Sequence, residues 1–176
     1  MQSDEQLMLE FQKGKTEAFE ELFRRYLHPV YGFFRRRLNN LSRAEDLAQE
    51  TFIVILRGTA RYEKRAMFRT YLYAVALKLL WSERRRELRE AASVPNVEEL
   101  TQAGDAAGSL WIRDAFSRLD DDHREVLMLR EYEQLSYEEI AELLRVPINT
   151  VRSRLFRARA GLKALLEPHA LKEKSQ

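Results

Sequence analysis

SYEEIAELLRVPINTVRSRLFRARAGL, from Ser136 to Leu162, reads as two helices with a sharp turn between them. Ser136 and Glu139 have the spacing of a capping box, in which the hydroxyl accepts from the Glu139 amide and the carboxylate reaches back. Ile140, Leu143 and Leu144 follow at helical spacing, which predicts a helix ending near Leu144. Pro147 cannot lie inside a continuing helix, and Asn149 or Thr150 can cap a second one. Val151, Leu155, Ala158 and Leu162 mark the apolar face of that second helix. At about 100° per residue, Arg152, Ser153, Phe156 and Arg157 point the other way. Ala141 is small where the two helices must cross. This is the pattern of a helix-turn-helix, whose second helix enters a DNA major groove. A helical hairpin with a solvated basic face is the plain alternative. Against it stands the run Arg145, Arg152, Arg154, Arg157, Arg159 and Lys163, with no acidic residue between its ends.

The whole chain has 176 residues, room for one domain or two small ones. With 45% hydrophobic and 33% charged residues, six Gly and four Pro, it suits exposed helices better than a turn-rich sheet. The expected class is all-α: two small helical domains joined by a flexible linker, the second containing the helix-turn-helix. There is no cysteine, so disulfides and zinc–thiolate sites are excluded. His28, His123 and His169 are too scattered for a metal site, and no cofactor is expected. No carboxylate cluster, His pair or nucleophile constellation suggests an enzyme. With no signal peptide and no apolar run long enough to span a bilayer, a cytoplasmic location without membrane insertion is expected. Charge is uneven: residues 1–90 hold 18 Lys+Arg against 13 Asp+Glu, 91–109 none against three, and 110–176 12 against 12. Such local basicity suits a surface that follows phosphates.

In chain order, Leu7, Phe11, Ala18, Phe19, Leu22, Phe23 and Tyr26 recur at helical spacing, with Gly14-Lys15 separating two helices. Pro29 suits the first turn of another helix, carrying Val30, Phe33, Phe34 and Leu38. Ser42 and Glu45 form a second candidate capping box. Behind it Ala44, Leu47, Ala48, Phe52 and Ile55 define an apolar side, with Asp46, Gln49 and Glu50 elsewhere on the surface. Periodicity fails from Gly58 to Met67, where Arg61, Tyr62, Lys64 and Arg65 crowd a loop. It resumes at Phe68 and ends in Arg84, Arg85, Arg86 and Arg89. Residues 91–108 are small, polar and slightly acidic, as a linker would be. A helical pattern returns at Leu110, and after Leu166 the tail should fray. The expected partition is 1–90, a 91–109 linker, 110–168 and a 169–176 tail.

Together the two halves resemble the extracytoplasmic-function sigma factors of the bacterial sigma-70 family, the small group having only the second and fourth sigma regions. The N-terminal resemblance rests on AEDLAQETF (Ala44–Phe52), FRTYL (Phe68–Leu72) and Arg84-Arg85-Arg86. The C-terminal one rests on REVL (Arg124–Leu127), LSYEEIA (Leu135–Ala141) and TVRSRL (Thr150–Leu155). It covers nearly the whole chain outside the linker and tail. The resemblance implies a dissociable subunit of RNA polymerase. Residues 1–90 would hold the core through the β′ clamp helices and recognise and open the −10 element; residues 110–168 would bind the −35 element and lie against the β flap. An anti-sigma factor is an implied further partner. A helix-turn-helix regulator that never joins polymerase is the alternative.

The residues suit these roles. Asp46, Gln49 and Glu50 offer acceptors to a basic or amide-rich partner helix. In the loop, Tyr62 with Arg61, Lys64 and Arg65 could capture an unstacked base and its phosphates, the alternative being a plain surface connection. Lys78, Arg84, Arg85 and Arg86 complete the implied −10 set, the three arginines as phosphate contacts. For the −35 element, Arg152, Ser153, Phe156 and Arg157 are placed to read bases. The helix start at Asn149 and Thr150, with Arg159 at the margin, should hold phosphates. The chain departs from the family where Lys78 and Ser82 replace Asn and Asp, and Asn149 a Gly. Gln134 and Arg145 also stand at customary Gly positions, and at Arg145 a left-handed turn costs a side chain about 1 kcal/mol.

Overall fold

The structure, a computed structural model, describes residues 2–63, 67–93, 112 and 114–173, without the side chains of 61, 92, 93 and 168–173. Among the described residues every regular element is helical. The chain divides between Gln102 and Ala103 into two units. Of the expected 91–109 linker, the first three residues are the end of a helix and the rest lies outside the described residues.

The first unit contains α1 (Asp4–Gln12), α2 (Thr16–Arg35), α3 (Leu41–Gly58), a 3-10 turn (Thr59–Arg61) and α4 (Phe68–Ser93). Ser3 starts α1 with a capping box to Gln6 that the sequence reading missed. Gly14, at φ 94°, makes the left-handed turn out of α1 that a side chain would strain. Expected starts at Pro29 and Ser42 are both corrected. Helix α2 continues through Pro29, because Leu22 on one side and Val30, Phe33 and Phe34 on the other are all buried and outweigh one lost hydrogen bond. Helix α3 starts two residues earlier, with Asn40 in place of Ser42 as the cap, accepting from the Arg43 amide at 2.9 Å. Asn is as good a cap as Ser, and from either start Ala44, Leu47, Ala48, Phe52 and Ile55 face inward, while the added Leu41 and Ser42 are exposed. Phe68, Leu72, Ala76 and Leu80 of α4 complete that core. Helix α1 ties the unit together: Asp4 accepts from Arg25 at 2.7 Å and from the Tyr26 hydroxyl. Gln12 donates to the Thr59 and Tyr62 carbonyls, at 2.8 and 2.9 Å.

The second unit contains α5 (Asp121–Glu131), α6 (Tyr137–Leu144) and α7 (Ile148–Glu173), preceded by a helical turn at 114–117. Arg124, part of the quoted REVL motif, has a structural task. Its guanidinium donates to the carbonyls of Phe116, Ser117 and Leu119, satisfying the end of that turn. The capping box at Ser136 forms as expected: the hydroxyl accepts from Glu139 N at 3.1 Å, and Glu139 Oε2 from Ser136 N at 2.7 Å. Helix α7 begins at Ile148, one residue before the expected caps, because Pro147 is preset for a helix start and its carbonyl takes the Thr150 and Val151 amides. It runs to Glu173, beyond the end expected at Leu166.

Two side chains here occupy the left-handed region: Gln134 at φ 56° and Arg145 at φ 54°. Arg145 is the C-cap of α6, where its own and the Val146 amide close the turn on Glu142 and Ala141. Arg145→Gly should therefore stabilise this unit by up to about 0.5 kcal/mol, the left-handed cost less the extra chain entropy glycine loses. A raised midpoint for its thermal transition is the expected result; a lowered one would mean the arginine stem contributes more than its backbone costs.

Candidate DNA and protein interfaces

Helix α7 is turned as its periodicity requires. Val151, Leu155 and Ala158 are buried, Leu162 is half-buried, and Arg152, Ser153, Phe156 and Arg157 are exposed. Phe156 is 75% exposed, more than any other large apolar side chain among the described residues. Leaving a phenyl ring in water forgoes about 2 kcal/mol of burial, so this position suits a surface that is covered in use. Arg152 Nη1 lies 3.4 Å from Asn149 Oδ1, and the Ser153 hydroxyl donates to the Thr150 carbonyl at 3.0 Å. Both side chains thus remain at the start of α7, beside the amides of its first turn.

The other two arginines of the helix have acidic partners on α5. Arg154 pairs with Asp122, and Arg159 Nη2 donates to Glu131 Oε1 at 2.9 Å. Hydrogen bonds from Arg159 to Glu131 and then to Tyr137 hold its guanidinium above the ordinary arginine range. Arg159, expected at the margin to hold a phosphate, already has an anion beside it in Glu131.

In the first unit, Asp46, Gln49 and Glu50 lie on one exposed stripe of α3 that continues into Ile53 and Leu56. A stripe of acids followed by exposed aliphatics fits a partner helix presenting cations and apolar side chains. Asp46 and Glu50 approach Arg43 only loosely, at 3.9 and 4.0 Å. Arg43 belongs instead to Glu83 of α4, with Nε and Nη2 each 2.9 Å from its two oxygens. Glu83 is 3% exposed and also takes Arg86 at 2.6 Å. Sequence reading missed this acid because it sits against three arginines; a lone Glu on the apolar side of α4 was its signal.

The residues proposed for the −10 element separate. Tyr62 does not suit base capture and is corrected: its ring is 5% exposed, 5.4 Å from Tyr71 and 6.3 Å from Phe68. Burial, with lesser contributions from Glu5 and Asp4, raises its phenol to about 12. Its spacing was that of a loop residue, and nothing local announces that Gln12, 50 positions away, holds its carbonyl. Lys64, Arg65 and the Arg61 side chain lie outside the described residues. On α4, Lys78 and Arg85 are exposed and Arg84 half-buried, while Arg86 is engaged by Glu83 and by Glu90 at 3.5 Å. Trp81, 40% exposed, stands between Lys78 and Arg85 on the same face and was overlooked; an aromatic three residues from a cation was the available signal. No group of His, Asp and Glu among the described residues could hold a metal, and no described helix is long and apolar enough to cross a membrane.

Residues 22–90 match the family model described as Sigma-70 region 2, and residues 109–162 that described as Sigma-70, region 4. The RNA polymerase sigma factor YlaC of Bacillus subtilis (strain 168) is 34% identical over 157 residues, 84% of this chain and 91% of its own. The ECF RNA polymerase sigma-E factor of Haemophilus influenzae is 31% identical over 183 residues, 94% of this chain and 96% of its own. Among solved structures, the sigma factor RpoE of Bartonella quintana, crystallised with the anti-sigma factor NepR, shares the fold. Its TM-score is 0.71 at 24% identity, over 86% of this chain and 98% of that one.

Proposed function

The chain belongs to the ECF RNA polymerase sigma factors of the sigma-70 family, and on that premise we propose how its residues divide the work. The protein joins RNA polymerase, recognises promoters and directs the initiation of transcription. In our reading residues 1–90 hold the core and meet the −10 element, 110–168 bind the −35 element and lie against the β flap, 91–109 join them, and 169–176 form a tail. The polymerase contact is the α3 stripe, with Asp46, Gln49 and Glu50 set against the β′ clamp helices. The −10 contact falls to Lys78, Arg84 and Arg85 with Trp81 between them, and to the cations around Lys64. An anti-sigma factor would act by covering these surfaces, and the working compartment is that of the polymerase, the cytoplasm. A regulator acting without polymerase does not account for two sigma regions in their usual order.

One observation carries the −35 reading: Phe156 is exposed in water between Arg152 and Arg157 while the opposite face of α7 is buried. Arginine can bond guanine bidentately, and a phenyl ring can cover a thymine methyl. Core polymerase with this protein, transcribing a library of genomic fragments, should yield promoters sharing two elements; transcripts without a shared upstream element would overturn the −35 assignment. On such a promoter, Arg152→Ala and Arg157→Ala should each cost about 1–3 kcal/mol of holoenzyme binding and relax preference at one base pair. Uniform weakening on every sequence would instead make them phosphate contacts.

A further inference from the structure

The second unit carries a carboxylate on the face from which it would meet DNA. Arg159 lies three residues after Phe156 and seven after Arg152, so the three share one side of α7. Together with Tyr137 of α6 they line an open groove. Glu131, the last residue of α5, bonds Arg159, one of the side chains lining this groove, at 2.9 Å. The two side chains are 51% and 50% exposed, so the pair is wet and neither partner is needed to neutralise a buried charge. Asp122 differs: its partner Arg154 is only 24% exposed and lies some 200° around α7 from Arg152, away from the groove.

A carboxylate and a phosphate offer arginine the same fork of oxygens, so Arg159 can serve one only by loosening its hold on the other. An arriving phosphate also meets the repulsion of the displaced acid. We propose that Glu131 is a built-in competitor for promoter phosphate, holding Arg159 until DNA takes it. The consequence is lower affinity for every sequence alike, which keeps non-specific binding weak and leaves discrimination to Arg152, Phe156 and Arg157. The inference rests on the −35 reading above.

The test is a double-mutant cycle in the holoenzyme, binding a promoter fragment and the same fragment with its −35 element scrambled, over a series of salt concentrations. Glu131→Gln keeps the size of the side chain and removes the charge. It should tighten both DNAs by about two- to fivefold and steepen the logarithmic salt dependence by up to about one. Arg159→Ala should weaken both, and the double variant should gain over Arg159→Ala less than Glu131→Gln gains over wild type; an equal gain would mean plain repulsion of DNA and overturn the competitor role. If Arg159→Ala weakens binding but Glu131→Gln leaves it unchanged or weaker, Glu131 orients the arginine and the competitor role is overturned. If Arg159→Ala changes neither affinity nor salt slope, the phosphate contact itself is wrong and the competitor falls with it.

Discussion

Asp46→Lys with Glu50→Lys is expected to abolish binding to core RNA polymerase while leaving the first unit folded. Both acids are exposed, 61% and 46%, and their distances to Arg43 of 3.9 and 4.0 Å are those of loose, solvated pairs. Their loss should change unfolding free energy by no more than about 1 kcal/mol. Lysine is also a good helix former, so α3 should persist. Against a partner that presents cations, the same change turns two attractions into two repulsions, which costs several kcal/mol. That is about a hundredfold or more in affinity. Core binding measured by competition with labelled wild-type protein, beside a thermal melt, separates the two effects. Equal core affinity in the double variant would remove this face of α3 from the interface, and a collapsed melt would show that the acids are structural.

Glu83→Ala should have the opposite profile, a large loss of stability from a residue that touches no partner. Its carboxylate is 3% exposed, joins Arg43 of α3 to α4 by two bonds of 2.9 Å and takes Arg86 of its own helix at 2.6 Å. Removing one member of a buried ion pair strands the other, at about 3–5 kcal/mol. Here Arg43 is 26% and Arg86 47% exposed, so water recovers part of that, and about 2–4 kcal/mol is expected. For a helical unit of this size the midpoint should fall by about 10–20 °C. Trp81, two residues away, provides a fluorescence signal for that unit. The double change Arg43→Met with Glu83→Leu should restore much of the loss, because an apolar pair of similar volume carries no desolvation cost. A Glu83→Ala midpoint within a few degrees of wild type would mean the two arginines find water, and that α3 and α4 are held by their apolar faces alone.

The contrast between Asp46 and Glu83 shows what residue order made legible. Both acids stand in basic or polar surroundings on helices, and composition treats them alike. Periodicity separates them: Glu83 is in phase with Ala76 and Leu80, which are buried, whereas Asp46 is out of phase with Leu47 and Ile55. The core of the helix-turn-helix was readable, because its signals are local, although α7 begins and ends beyond the expected positions. A capping box spans four residues, a proline acts on its own turn, and the exposed face of α7 follows from the spacing of Val151, Leu155 and Ala158. The left-handed Arg145 was expected from the resemblance, because it stands at a customary Gly position.

What order left open is what depends on partners distant in the chain. Gln12 bonds carbonyls 47 and 50 positions away, Arg43 a carboxylate 40 away, and Arg159 one 28 away. Burial of its ring removes Tyr62 from base capture and Glu131 engages Arg159, whereas Arg86 is engaged locally, by Glu83 and Glu90 of its own helix. The start at Asn40 rather than Ser42 is a choice between near-equal caps, whereas continuation through Pro29 was settled by packing. Local preferences there differ by only about 1 kcal/mol, except at proline, whereas burying one phenylalanine or leucine contributes about 1.5–3. Where several such side chains are carried on one helix, packing decides its ends, and only the folded chain brings the packing partners together.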